Sequence, residues 1–379
     1  MEKNVVRLEE YLRSGVENIV KGIIRASLKY PKTSIFMAKY AAGSRRAEAK
    51  RKQARLAGDH VPPFLIASIT EECNLHCRGC YARANSICGG STDDMCCTGS
   101  TQDRDSEILA SRDWDNVFMQ AEDMGISFIL LAGGEPFLRK DVLARAGGHQ
   151  NILFPVFTNG TMIDDDSMDM LDSCRNLVPV ISIEGDMAAT DARRGAGVFA
   201  ALEETMEKLR KAGILFGASV TVTKQNMEEV LSDDFISKLK RAGAKAIVYV
   251  EYVPVDELTG MLAPDEKTRA DMMERLDVLR SSEKEMIFIA FPGDEEASGG
   301  CLAAGRGFFH INPRGGAEPC PFSPYSDLNV TDVSLKEALG SGLFRTLREQ
   351  GHLALPHNGG CALYEQRERV QAIAEGNMA

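Results

Sequence analysis

The sequence predicts an α/β protein whose parallel sheet curls into a barrel or a partly open barrel, with a helical arm before it and a smaller extension after it. Three observations carry this. Short apolar runs of strand length alternate with helical patterns about six or seven times over roughly 230 residues. The alternation starts after Pro62-Pro63 and ends at Pro292. Beyond Pro292 Gly and Pro become frequent and the alternation stops.

Each element has a local reason. In residues 4–29 the apolar positions Val5, Leu8, Leu12, Val16, Ile19 and Ile23 recur at helical spacing, and Pro31 stops that helix. A second helical stretch runs through Phe36 and Tyr40 into the basic run Arg45, Arg46, Lys50, Arg51, Lys52 and Arg55. The body then reads as strands over 64–70, 127–132, 152–157, 178–183, 215–221, 246–252 and 286–291. Helices are expected between them over 114–124, 141–147, 165–174, 199–212, 227–242 and 264–280. After Pro292, residues 307–311 and 312–316 read as a hairpin. The expected domains are a helical basic arm over 1–60, a barrel over 61–292 and an extension over 293–379. No short repeat of solenoid type is present.

Composition bounds the function. The chain has 379 residues, 44 Lys or Arg against 55 Asp or Glu, and a net charge of −11. At 44% hydrophobic and 26% charged it has a soluble protein's composition with a sizeable core, and is neither collagen-like, low-complexity nor globally disordered. The acidic total excludes a nonspecific nucleic-acid coat protein. Charge is uneven: residues 1–60 hold 14 basic and 6 acidic side chains, a net +8, which leaves −19 on the rest. A basic arm on an acidic body predicts either packing on that body or peripheral contact with an anionic membrane. No apolar run reaches the ~18–20 residues of a transmembrane helix, and the first residues lack a signal-peptide apolar region, so a cytoplasmic protein is expected.

Ten cysteines in such a protein point to metal ligation or redox chemistry rather than disulfides. Cys73, Cys77 and Cys80 form a C-x3-C-x2-C triplet just after the first strand. Three thiolates on one short loop suit three corners of a [4Fe–4S] cluster and leave the fourth iron open to a small molecule. A loop at the C-terminal end of a barrel strand is also where barrel enzymes place their chemistry. Zinc is the alternative, with His76 as a fourth ligand inside the triplet.

With the triplet in place, the sequence resembles the radical SAM superfamily over residues 60–290, motif by motif and in order. Gly133-Gly134-Glu135-Pro136 follows the second strand, where the family places the GGE motif that holds the methionyl amino group of S-adenosylmethionine (SAM). Thr158-Asn159-Gly160 follows the third strand as the family's TNG does. Ser182-Ile183-Glu184-Gly185 follows the fourth, where relatives carry S-x-D-G near the SAM ribose and carboxylate. Asp191 to Gly195 resembles the next motif, D-x-x-R-G, and makes Arg194 the candidate for the SAM carboxylate. The chemistry of each residue agrees. A glycine pair lets backbone approach a ligand, a carboxylate bonds an ammonium with charge assistance, and Arg matches a carboxylate bidentately. One departure stands out: many relatives carry an aromatic residue before the third cysteine, where this chain has Gly79.

The resemblance implies a partial (β/α)6 TIM-type barrel, SAM as cofactor, and a one-electron donor such as ferredoxin or flavodoxin. Reductive cleavage of SAM at the cluster would yield a 5′-deoxyadenosyl radical that modifies a substrate. Cys301, with Gly315 and Cys320 at C-x13-G-x4-C spacing and Cys361 beyond, looks like a SPASM or twitch module of the shorter, single-cluster twitch form. Three cysteines there would hold an auxiliary [4Fe–4S] cluster, with His352 or His357 near in sequence for the remaining site. Core thiols are the alternative for these three. Cys88, Cys96 and Cys97 lie in a polar insertion over 84–106, read as a further metal site, a redox pair or incidental thiols, and Cys174 reads as core. The residues leave peptide, cofactor-precursor and lipid substrates open. The competing class, a non-catalytic iron–sulfur sensor or electron carrier, explains the cysteines but not the ordered GGEP, TNG and SIEG segments.

Overall fold

The computed structural model describes residues 31–84, 107–254, 257–298, 300–350, 353 and 361–376. The predicted helix over 4–29, and Cys88, Cys96, Cys97, His352 and His357, lie outside these residues.

Seven strands form the body: β1 (Phe64–Ser68), β2 (Phe128–Ala132), β3 (Phe154–Thr158), β4 (Leu177–Ser182), β5 (Gly217–Val222), β6 (Ala246–Glu251) and β7 (Ile287–Phe291). Two short strands follow, β8 (His310–Ile311) and β9 (Ala317–Glu318). Their order in one sheet is β7-β6-β5-β4-β3-β2-β1-β8-β9. Every pair from β7 to β8 is parallel, and β9 runs antiparallel to β8. The sheet does not close: β7 forms one edge and β9 the other. This is the partial barrel, six β/α units and a seventh strand. The first strand of the C-terminal extension continues the barrel's own sheet at the edge of β1.

The strands are short and apolar because each is sandwiched between the barrel interior and a helical layer. Parallel neighbours require a crossover, supplied by α2 (Ser111–Met124), α3 (Lys140–Gly148), α4 (Asp165–Ser173), α5 (Met187–Arg194), α6 (Val198–Lys211), α7 (Asp233–Ala242) and α8 (Glu266–Ser282). Their starts are capped by side chains the sequence places there. Asp164 accepts from the Ser167 N–H at 3.0 Å, Asp186 from Ala189 at 2.8 Å and Asp265 from Thr268 at 2.9 Å. The expected single helix over 227–242 is two pieces, Met227–Val230 and α7, because the Ser232 hydroxyl accepts the Phe235 N–H and starts a new helix. A helix not expected, α5, carries the D-x-x-R-G residues up to Arg194.

The basic stretch after Pro31 is one long helix, α1 (Pro31–Leu56). Phe36, Met37 and Tyr40 bury against Leu153, Phe128, Val178, Leu215 and Ile287. Those five lie at the beginnings of β2, β3, β4, β5 and β7, so α1 closes the end of the barrel opposite the strands' C-termini. Some of its charges reach the body too. Lys50 Nζ donates to the Glu122 carbonyl at 3.1 Å, Arg51 to the Gly125 carbonyl, and Lys32 pairs with Asp172 at 2.5 Å. Among the described residues no helix is long and apolar enough to cross a membrane.

Candidate active site

The thiol triplet sits on the loop that leaves β1, and the loop after β2 holds it down through backbone. The Gly134 N–H donates to the Thr70 carbonyl at 2.9 Å and the Glu135 N–H to the Glu72 carbonyl at 2.7 Å. The loops are so close that a Cβ on Gly134 would lie 2.0 Å from the Glu72 oxygen, and one on Gly133 2.4 Å from that of Thr70. Gly133 also has φ +124°, a backbone region side chains avoid. The glycine pair is therefore required by loop-on-loop contact.

Glu135 is wholly buried and joins two of the predicted motifs. Its carboxylate accepts the Thr158 hydroxyl at 2.7 Å, the Asn159 N–H at 2.7 Å and the Phe137 N–H at 3.1 Å. Burial pushes its pKa up, and those three bonds pull it back only in part. Pro136 is buried and opens the short 3-10 turn Pro136–Leu138 that presents the Phe137 N–H. Asn159 in turn reaches the cysteine loop: its Nδ2 donates to Asn74 Oδ1 at 2.7 Å and lies 3.9 Å from Cys73 Sγ.

The opposite wall is built by Glu184 and two arginines. Glu184 is buried at the exit of β4. Its Oε1 accepts Arg194 Nε at 2.9 Å and an Arg193 Nη1 donor, while its Oε2 accepts the Thr221 N–H at 3.1 Å. Arg194 Nη1 is 4.0 Å from Cys77 Sγ, and the Arg193 carbonyl accepts the Arg78 N–H at 2.9 Å. Glu184 thus aims Arg194 at the thiol loop. Ser182, at the end of β4, contacts Ser219 Oγ at 3.2 Å.

Cys73, Cys77 and Cys80 are half-buried and within electrostatic reach of one another. Burial pushes the Cys73 and Cys77 thiols up, and the Arg194 guanidinium draws Cys77 back down. Such thiols keep their protons at neutral pH until a metal replaces them. Among the described residues no three His, Cys, Asp or Glu gather at the spacing of a single-ion site. The donor set and its setting fit a cluster with one open iron: three thiols, a buried carboxylate and a guanidinium around one loop.

The Gly79 departure has a structural counterpart. A Cβ there would lie 2.4 Å from the Tyr252 hydroxyl, so the ring of Tyr252, just past β6, fills the space beside the loop. Tyr252 donates to Thr259 Oγ1 at 2.6 Å. No spacing in the sequence announces this pairing.

The extension brings the second thiol group together. Cys301, Cys320 and Cys361 lie within electrostatic reach of one another, and each thiol is pushed up by burial first, Cys361 to about 12. Two contacts tie this region to the first loop. Arg314, in the β8–β9 turn, grips Glu71 at 2.7 and 3.0 Å. Tyr81, next to Cys80, packs on Phe322, two residues after Cys320, with ring centroids 4.9 Å apart. Sequence reasoning missed Glu295, buried beside Cys301, because it stands in the run Asp294-Glu295-Glu296 that looks like a solvated face.

An open parallel barrel with its candidate chemistry gathered on the loops that leave β1, β2, β3 and β4 is the architecture of a barrel enzyme. Residues 67–249 match the family model of the Radical SAM superfamily, so the barrel carries a radical SAM domain. It is 25% identical over 83% of its length to the AdoMet-dependent heme synthase of Methanosarcina barkeri, covering 91% of that protein. It is 27% identical over 77% of its length to the mycofactocin maturase MftC of Mycobacterium ulcerans, covering 78% of it. Its fold superposes on Streptococcus suis SuiB bound to S-adenosylmethionine with a TM-score of 0.61 at 16% identity, covering 90% of this chain and 79% of the other.

Proposed function

We propose that this enzyme binds a [4Fe–4S] cluster on Cys73, Cys77 and Cys80 and SAM on the cluster's open iron, with a second cluster on Cys301, Cys320 and Cys361. Bound there, the pair supplies a reductively generated 5′-deoxyadenosyl radical for modification of an organic substrate. The observation that carries the reading is the convergence on the thiol loop: Glu135 joins the β2 and β3 loops, Asn159 reaches Cys73, and Glu184 aims Arg194 at Cys77.

The chain's own residues bind and orient. Glu135, buried and preset by three donors, is placed to receive an ammonium, and Arg194 a carboxylate, so an amino acid moiety would span the two. Thr158 and Asn159 fix the Glu135 carboxylate in place. Ser182 offers a hydroxyl at the C-terminal end of β4 that would serve the SAM ribose. Tyr252 packs against the loop at Gly79. A substrate would approach from the C-terminal ends of the strands, on the side where Arg314 and Phe322 clamp the extension to the first loop. Similarity to an AdoMet-dependent heme synthase and to a mycofactocin maturase supports a peptide or cofactor-precursor substrate. A one-electron donor of the ferredoxin or flavodoxin type completes the partners.

Iron and sulfide per chain after anaerobic purification test this, for the wild type and for the Cys73/Cys77/Cys80 triple Ala variant. The expected result is a drop from about eight iron atoms to about four, with 5′-deoxyadenosine formed from SAM and dithionite by the wild type alone. Equal 5′-deoxyadenosine from both proteins would overturn the site. A fall from about four irons to none would remove the second cluster.

A further inference from the structure

We infer that Arg193 is a substrate-binding residue, whose unspent guanidinium edge takes a carboxylate of the substrate on the β4–β5 side of the barrel mouth. The inference rests on the function proposed above and narrows its substrate to an apolar body that carries a carboxylate.

Arg193 and Arg194 share one carboxylate unequally. Glu184 Oε1 accepts both Nε and Nη2 of Arg194, at 2.9 and 2.5 Å, but only Nη1 of Arg193. The same Nη1 donates to Thr221 Oγ1 at 3.0 Å. Nε and Nη2 of Arg193 have no partner among the described residues. Asp191, the acid two residues earlier, is occupied by the Gly197 and Phe199 N–H groups, each at 2.8 Å. The Arg193 side chain is only 18% exposed, so its two unspent nitrogens are largely shielded from water. Nε and Nη2 are the edge of a guanidinium that meets both oxygens of a carboxylate at once.

Strand register shows where this edge lies. Tyr249 donates to the Val230 carbonyl at 3.0 Å, so its side of β6 faces the helices. Val220 of β5 is in register with Tyr249, and Thr221 with Val250. Thr221 and Val250 therefore lie on the inner face of the barrel. Leu130, Phe157, Val248 and Ile289 share that face and are half-buried, while their outward neighbours Leu131, Val156, Ile247 and Phe288 are buried. From β2 to β7 the inner face is apolar apart from Ser182, Ser219 and Thr221. The Arg193 carbonyl accepts the Arg78 N–H at 2.9 Å, which holds this anchor beside the cysteine loop. A carboxylate on Arg193 would set its attached apolar body against that wall, at the end of the barrel where the thiols sit.

The test uses the full-length holoenzyme with SAM bound, kept anaerobic. Two acids of different source serve as probes, each with a neutral twin. Coproporphyrin III is paired with its tetramethyl ester, and acetyl-Phe-Glu-Phe-amide with acetyl-Phe-Gln-Phe-amide. Their dissociation constants, and that of SAM, are measured for the wild type, Arg193→Gln, Arg193→Lys and Arg194→Gln. One acid is expected to bind the wild type at least about tenfold more tightly than its twin. Preference for the porphyrin acid marks a cofactor-precursor carboxylate, and preference for the peptide acid a polypeptide's. Arg193→Gln then brings acid and twin to equal affinity. Arg193→Lys restores part of the preference, because an ammonium keeps the charge without the fork. The twin's affinity in each variant checks the fold, and Arg193→Met takes over if the Gln variant loses both ligands. A wild type that prefers neither acid, or a preference kept in Arg193→Gln, would overturn the inference. So would an effect of Arg193→Gln confined to SAM, which would give Arg193 to the cofactor's own carboxylate. Arg194→Gln reads the underlying site separately: unchanged SAM affinity there would unseat Arg194 and leave the preference set by Arg193 standing.

Discussion

At Gly134 a single hydrogen atom decides whether the thiol loop can seat. The nearest atoms to a Cβ there are backbone, the Glu72 carbonyl at 2.0 and 2.5 Å, which no rotamer change relieves. Gly134→Ala should cost about 1–3 kcal/mol of stability and displace the Cys73 loop, read as lost iron after anaerobic reconstitution. Gly148→Ala is the control, since nothing lies within 4 Å of a Cβ at the end of α3. Iron retained at the wild-type level in Gly134→Ala would show that the loop can move aside. Glu251 makes a residue-scale prediction of another kind. It is 2% exposed and its Oε2 has no hydrogen-bond partner, so burial pushes its pKa from 4.5 to about 7. The fold therefore favours the protonated form. That contribution is fully present below about pH 4.5, is lost as pH rises toward 7, and is constant above. The loss amounts to about 3 kcal/mol at most. Glu251→Gln should flatten this step: urea midpoints at pH 5 and pH 8 should differ less in the iron-free variant than in the iron-free wild type. An identical pH dependence in both proteins would show that the carboxyl is solvated.

Elements carry the join between barrel and extension. β8 adds to the edge of β1, and buried His310 bolts it there, with Nε2 2.8 Å from Ser68 Oγ and Nδ1 2.6 Å from Glu318 Oε2. Glu318 also accepts Asn312 Nδ2 at 2.7 Å, so one carboxylate serves both strands of the hairpin. His310→Ala leaves a buried carboxylate short of a partner and should cost about 2–4 kcal/mol. Faster amide exchange at β8 and at the β1 edge is expected, with the far edge at β7 unchanged; uniform exchange across the sheet would sink a local role. The six β/α units were legible in the sequence because buried parallel strands read as short apolar runs and helices as periodic ones. The thiol triplet and the GGEP and TNG turns were legible because each follows a strand end. The break before α7 was written in Ser232-Asp233-Asp234 as a cap, but apolar periodicity on both sides masked it. The His310–Ser68 bond and Tyr252 at Gly79 join residues far apart in the chain. Spacing carries no trace of such pairs.

For the molecule as a whole, packing accounts for part of the charge asymmetry. A helix that is basic by composition closes the bottom of an acidic barrel, where Lys32, Lys50 and Arg51 meet a carboxylate and helix-end carbonyls, while Lys39, Arg45 and Lys52 are exposed. The apolar side chains do the larger share. Phe36 is 5% exposed, and Met37 and Tyr40 are almost wholly buried. Together they cover the starts of five strands. Phe36→Ala with Met37→Ala should therefore destabilise the barrel by roughly 5 kcal/mol, somewhat less than the sum of two core truncations because the sites touch. Hydrogen exchange is the sharper measurement. Amides at the beginnings of β2 to β5 should lose protection first, while the thiol loop at the opposite mouth keeps its protection and its iron. An arm that serves only as a lipid contact makes the opposite forecast: unchanged exchange in the barrel, and a double variant that sediments with anionic vesicles as weakly as a chain deleted through Leu56.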